Sequence, residues 1–196
     1  MVQYSEEKQK PYLKILWKLC FPKDSDYFID FYYDRIYQDD ETLVCLENNR
    51  PVAALQIIPY SIKTGNQIRQ GGYLSGIMTH PDFRKRGYMD KLLQAAFDEM
   101  IKKGYDYTFL IPQEKGLVAM YAKYGFRLCE PNPHPPENIV LKSPKQWAHI
   151  QQLLFDEKGV WLENEPVSPN EHKGMIQRLN PAAEEICALY MGMMLD

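Results

Sequence analysis

The residues best suited to chemistry lie in one run, Ile77-Met78-Thr79-His80-Pro81-Asp82-Phe83-Arg84-Lys85-Arg86-Gly87-Tyr88-Met89. An extended apolar segment enters a short basic loop, and the loop runs straight into an amphipathic helix. A helix N-terminus leaves its first backbone N–H groups without acceptors, and the macrodipole makes that end positive. Arg84, Lys85 and Arg86 add side-chain charge, and Gly87 lets backbone and ligand approach closely. Together these features form an anion cradle, and a diphosphate-bearing cofactor is its natural occupant.

The elements that must hold this loop are readable from periodicity. Upstream, Thr42–Glu47, Val52–Ile62 and Gln67–Thr79 are rich in apolar and β-branched residues, with Asn48-Asn49 and Thr64-Gly65-Asn66 as turns. They read as an antiparallel meander of three strands. Gly76 inside the third strand marks a bulge or a close backbone approach. Downstream, Tyr88 to Lys102 places Met89, Leu92, Leu93, Ala96, Phe97, Met100 and Ile101 on one helical face, and Gly104 ends the helix. Tyr107–Ile111 is a short buried strand parallel to the strand before the loop. The resulting βαβ unit puts the cradle at a strand's carboxyl end, where open sheets hold ligands.

Further elements flank this unit. Residues 6–20 carry Tyr12, Leu13, Leu16, Trp17 and Cys20 at helical spacing. Ser25 caps a second, aromatic helix from Asp26 to about Tyr37. Gly116–Tyr124 is a short helix stopped by Gly125, and Phe126–Cys129 resumes a strand. Pro131 to Pro136 is a loop, and Ile139–Leu141 is extended. Ser143 caps a helix reaching to about Phe155, Val160–Leu162 and Gly174–Leu179 are strands, and Asn180-Pro181 opens a final helix.

The 196 residues are 45% hydrophobic and 25% charged, a balance that supports a packed core without disulfide staples. A net charge of −3 argues against general nucleic-acid binding, so the basic loop is a local feature. No run is apolar enough to span a bilayer, and the polar, acidic N-terminus is unlike a secretory signal. The expectation is a cytoplasmic protein. Cys20, Cys45, Cys129 and Cys187 lack paired spacing and sit among apolar residues, which reads as buried, reduced thiols. His80, His134, His149 and His172 form no metal-ligand pattern.

The loop Arg84-Lys85-Arg86-Gly87-Tyr88-Met89 resembles the coenzyme A signature of the GCN5-related N-acetyltransferase (GNAT) family, a Gln/Arg-x-x-Gly-x-Gly/Ala pattern. Arg84 and Gly87 match it, while Met89 replaces the usual small residue. Thr79-x-Pro81-x-x-Arg84 is similar to the family's approach to that loop. Tyr121-Ala122-Lys123-Tyr124-Gly125-Phe126 resembles its Tyr-x-Lys-x-Gly-Phe element. The resemblance covers about residues 5–142. It is greatest to the acetyltransferase region of the enhanced-intracellular-survival type, which also tolerates larger apolar residues after the glycine.

This resemblance implies an α/β (α+β) fold with a mixed, mostly antiparallel twisted sheet flanked by helices. Residues 1–142 would form the acetyltransferase core. Residues 143–196 would be a C-terminal extension packed on it, closing the acceptor cleft or forming a homodimer. The implied reaction is direct transfer of an acetyl group from acetyl-CoA to a primary amine of a small molecule or peptide, in a ternary complex. Cofactor contacts would come from Ile77, Met78, Thr79, Arg84, Lys85, Arg86, Gly87, Tyr88, Met89 and Asp90. Tyr121 matches the family's general acid, with core packing as the competing role for a residue on the stripe with Leu117 and Met120. The terminal carboxylate of Asp196 could approach the site, or belong to a frayed end. Glu114, Glu47, His80 and a water chain are open alternatives for the base. No cysteine shows an electropositive setting that would suit a covalent intermediate. Most of the aromatic helix would pack in the core, with Tyr32 or Tyr33 facing the acceptor cleft. The rival readings are a non-catalytic acyl-CoA-binding sensor or interaction module, and a transferase for a longer acyl group.

Overall fold

The computed structural model describes residues 1–64, 67–131, 139–142, 174–186 and 188–189. It is an α/β protein whose described ladders are mostly antiparallel. The parallel ones are β4 with β5 and β7 with β10. The chain divides into two compact units, residues 1–58 with 74–102, and residues 59–73 with 103–196.

In the first unit a three-residue strand, β1 (Val2–Tyr4), pairs antiparallel with β2 (Thr42–Glu47), and β2 pairs with β3 (Arg50–Thr64). Helix α1 (Lys10–Cys20) buries Leu13, Leu16 and Trp17 of the expected stripe, whereas Tyr12 is exposed at its edge and Cys20 is half-buried. Helix α2 (Asp26–Arg35) begins where Ser25 Oγ accepts the amide of Phe28 at 3.1 Å, the expected cap. It ends slightly short of the expected Tyr37. Phe31, Tyr32 and Tyr33 are all buried, so most of the aromatic face is core. Strand β4 spans Gln67–Thr79, and α3 spans Tyr88–Lys102. On α3, Leu92, Leu93, Ala96, Phe97 and Met100 are buried. Ile101, read as part of that face, is 56% exposed, because it lies at the edge of the stripe beside the helix's C-terminus.

Gly76 is the irregularity the sequence announces. Its φ is +55°, and a Cβ there would meet the Trp17 ring at 2.8 Å. The indole occupies the space that a side chain would need.

In the second unit β5 (Tyr107–Leu110) runs parallel to the first half of β4, with Gly71 opposite Tyr107 and Tyr73 opposite Phe109. Helix α4 (Lys115–Ala122) follows, then β6 (Arg127–Leu128) and β7 (Glu130–Pro131). Strand β8 (Ile139–Lys142) pairs with the end of β3, Ser61 opposite Lys142. Strand β9 (Met175–Arg178) is the extended segment expected there, and it lies between β5 and β6, paired antiparallel to both. Strand β10 (Ala188–Leu189) pairs with β7.

The final helix expected from Asn180-Pro181 does not start there. Residues 181–183 form a turn and 184–186 are irregular. The cause is Asn180. Its Oδ1 accepts the Ala182 amide at 3.0 Å, and its Nδ2 donates to Asp106 at 2.7 Å. The Asp106 carbonyl accepts both the Leu179 and Asn180 amides. A side chain engaged with its own backbone and a distant carboxylate favours a turn over a helix. The expected helix at 143–155 and the strand at 160–162 lie outside the described residues.

Gly76→Ala forces a left-handed backbone on an L-residue and drives a methyl into the Trp17 ring. It is expected to lower stability by roughly 2–4 kcal/mol, read as a fall in the urea midpoint.

Candidate functional site

The cradle is built inside the first unit. Strand β4 ends at Thr79, and a single 3-10 turn, Pro81–Phe83, follows. His80 caps that turn, its Nδ1 accepting the Asp82 amide at 3.2 Å. Proline at the first position is suited to this turn because its missing N–H would have had no acceptor. The chain then reverses through two left-handed residues, Lys85 at φ +62° and Gly87 at φ +76°. Alternation of this kind turns successive N–H groups toward one side, as in an anion-binding nest. The Gly87 carbonyl accepts the Lys91 amide at 3.2 Å, so α3 starts immediately after it. A Cβ at Gly87 would meet only the Asp90 Oδ2, at 3.6 Å. The backbone is therefore open to a ligand, and the Asp90 carboxylate stands beside the helix start, where negative charge is favoured.

The three basic side chains have different duties. Arg84 Nε donates to the Thr79 carbonyl at 3.2 Å, bracing the loop against the end of β4. Cys20 Sγ donates to the same carbonyl at 3.4 Å. Both lone pairs of that oxygen are thereby used. Arg86 lies over the Phe83 ring at 5.0 Å, while the Lys85 side chain is exposed. The Tyr88 hydroxyl donates to Glu47 of β2, and this bond is the main cause of its raised pKa.

Cys20 corrects one expectation. Arg84 stands against its sulfur, so a cysteine with a cationic neighbour does exist. Burial has the larger effect and pushes the thiol up, which keeps it protonated and a poor nucleophile. Cys45 and Cys129 are buried, as expected of inert thiols, and Cys187 lies outside the described residues.

Among the base candidates, Glu47 is engaged by Tyr88. His80 uses its Nδ1 as an acceptor, which places the hydrogen of its neutral ring on Nε2. Glu114 is exposed at the start of α4 and makes no side-chain cap there. The structure thus brings together Ile77 to Asp90 in one unit. Tyr121 belongs to the other unit, and Asp196 lies outside the described residues.

Within its own unit Tyr121 is buried on α4, its ring edge-on to Phe126 at 6.0 Å. Gly125, at φ +89°, ends the helix and turns Phe126 back beneath it. Burial alone pushes the phenol up to about 12.

Sequence reasoning named Tyr32 but passed over the residues it meets. The Tyr32 hydroxyl donates to Gln56 Oε1 at 2.5 Å and lies 3.2 Å from Ser75 Oγ. Gln56 Nε2 lies 3.2 Å from Glu41 Oε2 and 3.4 Å from the Ile36 carbonyl. These residues come from α2, β3, β4 and the turn before β2, so no local motif signals them. Among the described residues no group of histidine, cysteine or acidic side chains could hold a metal. None of the described helices is long and apolar enough to cross a membrane.

A strand, a left-handed basic loop and a helix start meet at one point of an α/β fold, the geometry of an anion-binding nest. The sequence profile of the acetyltransferase (GNAT) domain matches residues 2–129, and the chain belongs to that family. Several solved structures share its fold. Eis1 from Mycobacterium abscessus aligns with a TM-score of 0.63 at 10% identity, over 80% of this chain and 49% of that one. The GNAT family N-acetyltransferase YhbS from Escherichia coli, solved in complex with CoA, aligns at 0.60 and 14% identity, over 96% and 87%. A GCN5-related N-acetyltransferase from Anabaena variabilis aligns at 0.58 and 18%, over 66% of this chain and 32% of its own. The chain thus spans about a third of the Anabaena protein's length and half of Eis1's. At these identities the likeness concerns the fold. No curated protein sequence matches the chain significantly.

The raised phenol gives a pH dependence with a definite sign. An unfolded tyrosine ionises near about pH 10, whereas Tyr121 holds its proton until about 12. Between those values the unfolded state binds fewer protons, so stability falls as pH rises through that window. Tyr121→Phe is expected to remove on the order of 2 kcal/mol of this alkaline loss. Denaturant unfolding of both proteins at pH 9 and 11.5 measures it.

Proposed function

We propose that this protein is an acyl-CoA-dependent N-acyltransferase that moves an acetyl group from acetyl-CoA to a primary amine of a small molecule or peptide. The amine attacks directly in a ternary complex. The observation that carries this reading is the left-handed pair Lys85 and Gly87 joining β4 to the start of α3, in a chain of the acetyltransferase family. YhbS, of the same fold, was solved with CoA, which supports the choice of co-substrate.

The residues present suit that molecule. A Cβ at Gly87 would approach the space beside the Asp90 carboxylate, and its absence leaves room for a diphosphate over the amides of Lys85 to Asp90. Exposed Lys85 and Arg86 supply countercharge, with Tyr88 and Met89 completing the first turn. Arg84 acts by holding the loop rather than by gripping phosphate. The pantetheine arm would bond along β4 through the backbone groups of Ile77 and the amide of Thr79, because the next residue, His80, turns its own amide to the Val52 carbonyl of β3. The Thr79 carbonyl already serves two donors and is a poor candidate for that contact.

Bound acetyl-CoA supplies the reactive thioester. Tyr121 supplies a hydroxyl for the departing sulfur. A phenol at about 12 would surrender its proton uphill to a free thiolate near about 8.5, so its contribution is a hydrogen bond that strengthens as charge develops. Asp196 and a water chain are our candidates to take the amine's proton. The reading places the protein among transferases of the cytoplasm, acting on amines rather than on nucleic acid or membrane.

Calorimetric titration with acetyl-CoA tests the cradle. Micromolar binding is expected for the wild type, weaker binding for adenosine 3′,5′-diphosphate, and none for Gly87→Glu, which puts bulk and negative charge where the diphosphate lies. Unchanged affinity in that variant would remove the loop from the reading. Tyr121→Phe is expected to bind acetyl-CoA normally and lose about 10²–10³-fold in kcat, measured by thiol release.

A further inference from the structure

We propose that Ser75 is the hydroxyl that receives the acceptor amine, and that Tyr32, Gln56 and Glu41 are the residues that aim it. The inference rests on the acetyltransfer reading above and concerns a part of the first unit that the reading leaves unused.

The argument is one of hydrogen-bond direction. Gln56 Nε2 lies within reach of the Ile36 carbonyl at 3.4 Å and Glu41 Oε2 at 3.2 Å. A carbonyl and a carboxylate only accept, so the NH₂ end of the amide must face them and its oxygen must face Tyr32. The Tyr32 hydroxyl has a single hydrogen, and that hydrogen goes to Gln56 Oε1 at 2.5 Å. The 3.2 Å contact between Tyr32 and Ser75 must then be made with the serine's own hydrogen. Ser75 is left with lone pairs and no hydrogen to give. It can only accept from an incoming group.

The surroundings hold this polarity in place. Tyr32 is 3% exposed, and the Trp17 ring packs against it, tilted, at 4.4 Å between centroids. Gln56 is equally buried, so neither side chain can turn to water for an alternative partner. Ser75 is only half-buried and is the end of the chain that a ligand can reach. The next residue, Gly76, breaks the regular strand with its left-handed backbone against Trp17. The strand advances about 3.3 Å per residue, so Ser75 lies about 13 Å back along β4 from Thr79, where the cradle begins. A donor bound at Ser75 is therefore remote from the diphosphate, toward the reactive end of a ligand lying along the strand.

A neutral primary amine suits this acceptor. It gives one N–H to Ser75 Oγ and keeps its nitrogen lone pair for the acyl carbon. A hydroxyl or thiol acceptor has a single hydrogen to give and would be held less well once that hydrogen must leave.

The test uses the full chain with acetyl-CoA and three probes, tyramine, spermidine and a lysine-containing tripeptide, following release of the CoA thiol. Ser75→Ala is expected to raise the amine KM about tenfold and to leave acetyl-CoA affinity, measured by calorimetry, unchanged. Ser75→Thr restores the hydroxyl and is expected within about twofold of the wild type. Tyr32→Phe keeps the ring packing, frees the serine hydrogen and is expected to raise the amine KM similarly. Combining Tyr32→Phe with Ser75→Ala should add nothing to Ser75→Ala alone. Wild-type amine KM in Ser75→Ala, or fully additive losses in the double variant, would overturn the inference. A wild type that binds acetyl-CoA but releases no thiol with any probe would instead overturn the acetyltransfer reading, and this assignment with it.

Discussion

The first unit depends on one packing contact, the Trp17 indole against the backbone of Gly76. The same ring packs tilted against Tyr32 at 4.4 Å and lies edge-on to Tyr33 at 5.8 Å, and its Nε1 donates to Asp24 at 2.6 Å. One side chain thus fixes α1, α2 and the loop between them against β4. Any residue larger than glycine at position 76 would push them apart. The bent strand, the Tyr32–Ser75 contact and the approach to the basic loop all follow from that fit. Cys20 at the end of α1 extends the same seam by bonding to the Thr79 carbonyl, which Arg84 also grips.

The cradle answers to a different constraint, the need to reverse the chain while keeping amides pointed at one place. Lys85 adopts a left-handed conformation that a lysine rarely takes, and Gly87 adopts it at little cost. The bonds from the Asp82 amide to His80 and from Arg84 to Thr79 over-determine the loop and hold that strain. Tyr88 tied to Glu47 anchors the helix start to β2. An anion site built on backbone must be rigid before the ligand arrives, since amides cannot swing toward it as side chains can.

Much of this was legible in sequence because it is local. The cap at Ser25, the bounds of α3 and the left-handed glycines at 87, 104 and 125 depend on neighbours within a few residues. Strand β1 escaped notice because three residues carry too little pattern. The helix expected at 181 failed for a non-local reason: Asn180 bonds to Asp106, 74 positions earlier. The partners of Tyr32 in the Ser75–Tyr32–Gln56–Glu41 chain were invisible for the same reason, since they meet only after four elements have packed. Ile101 was misassigned by periodicity alone, which places a residue on a stripe without saying how wide the stripe's cover is. Tyr121 was found through a family motif, and its packing against Phe126 agrees with the competing core role as well.

The order of strands in the second unit carries a consequence for biosynthesis. Among the described residues, strand β5 is joined to β6 through β9, which pairs with both. About 65 residues separate Leu110 from Met175. At roughly 5–20 residues per second, a ribosome takes about 3–13 s to supply the missing strand. Through that interval the apolar edge of β5, Tyr107 to Leu110, has no partner on that side and is open to pairing with other chains. A nascent chain of this design has reason to be shielded by a chaperone during those seconds, and its yield should respond to translation speed across residues 111–175 more than to codon choice elsewhere.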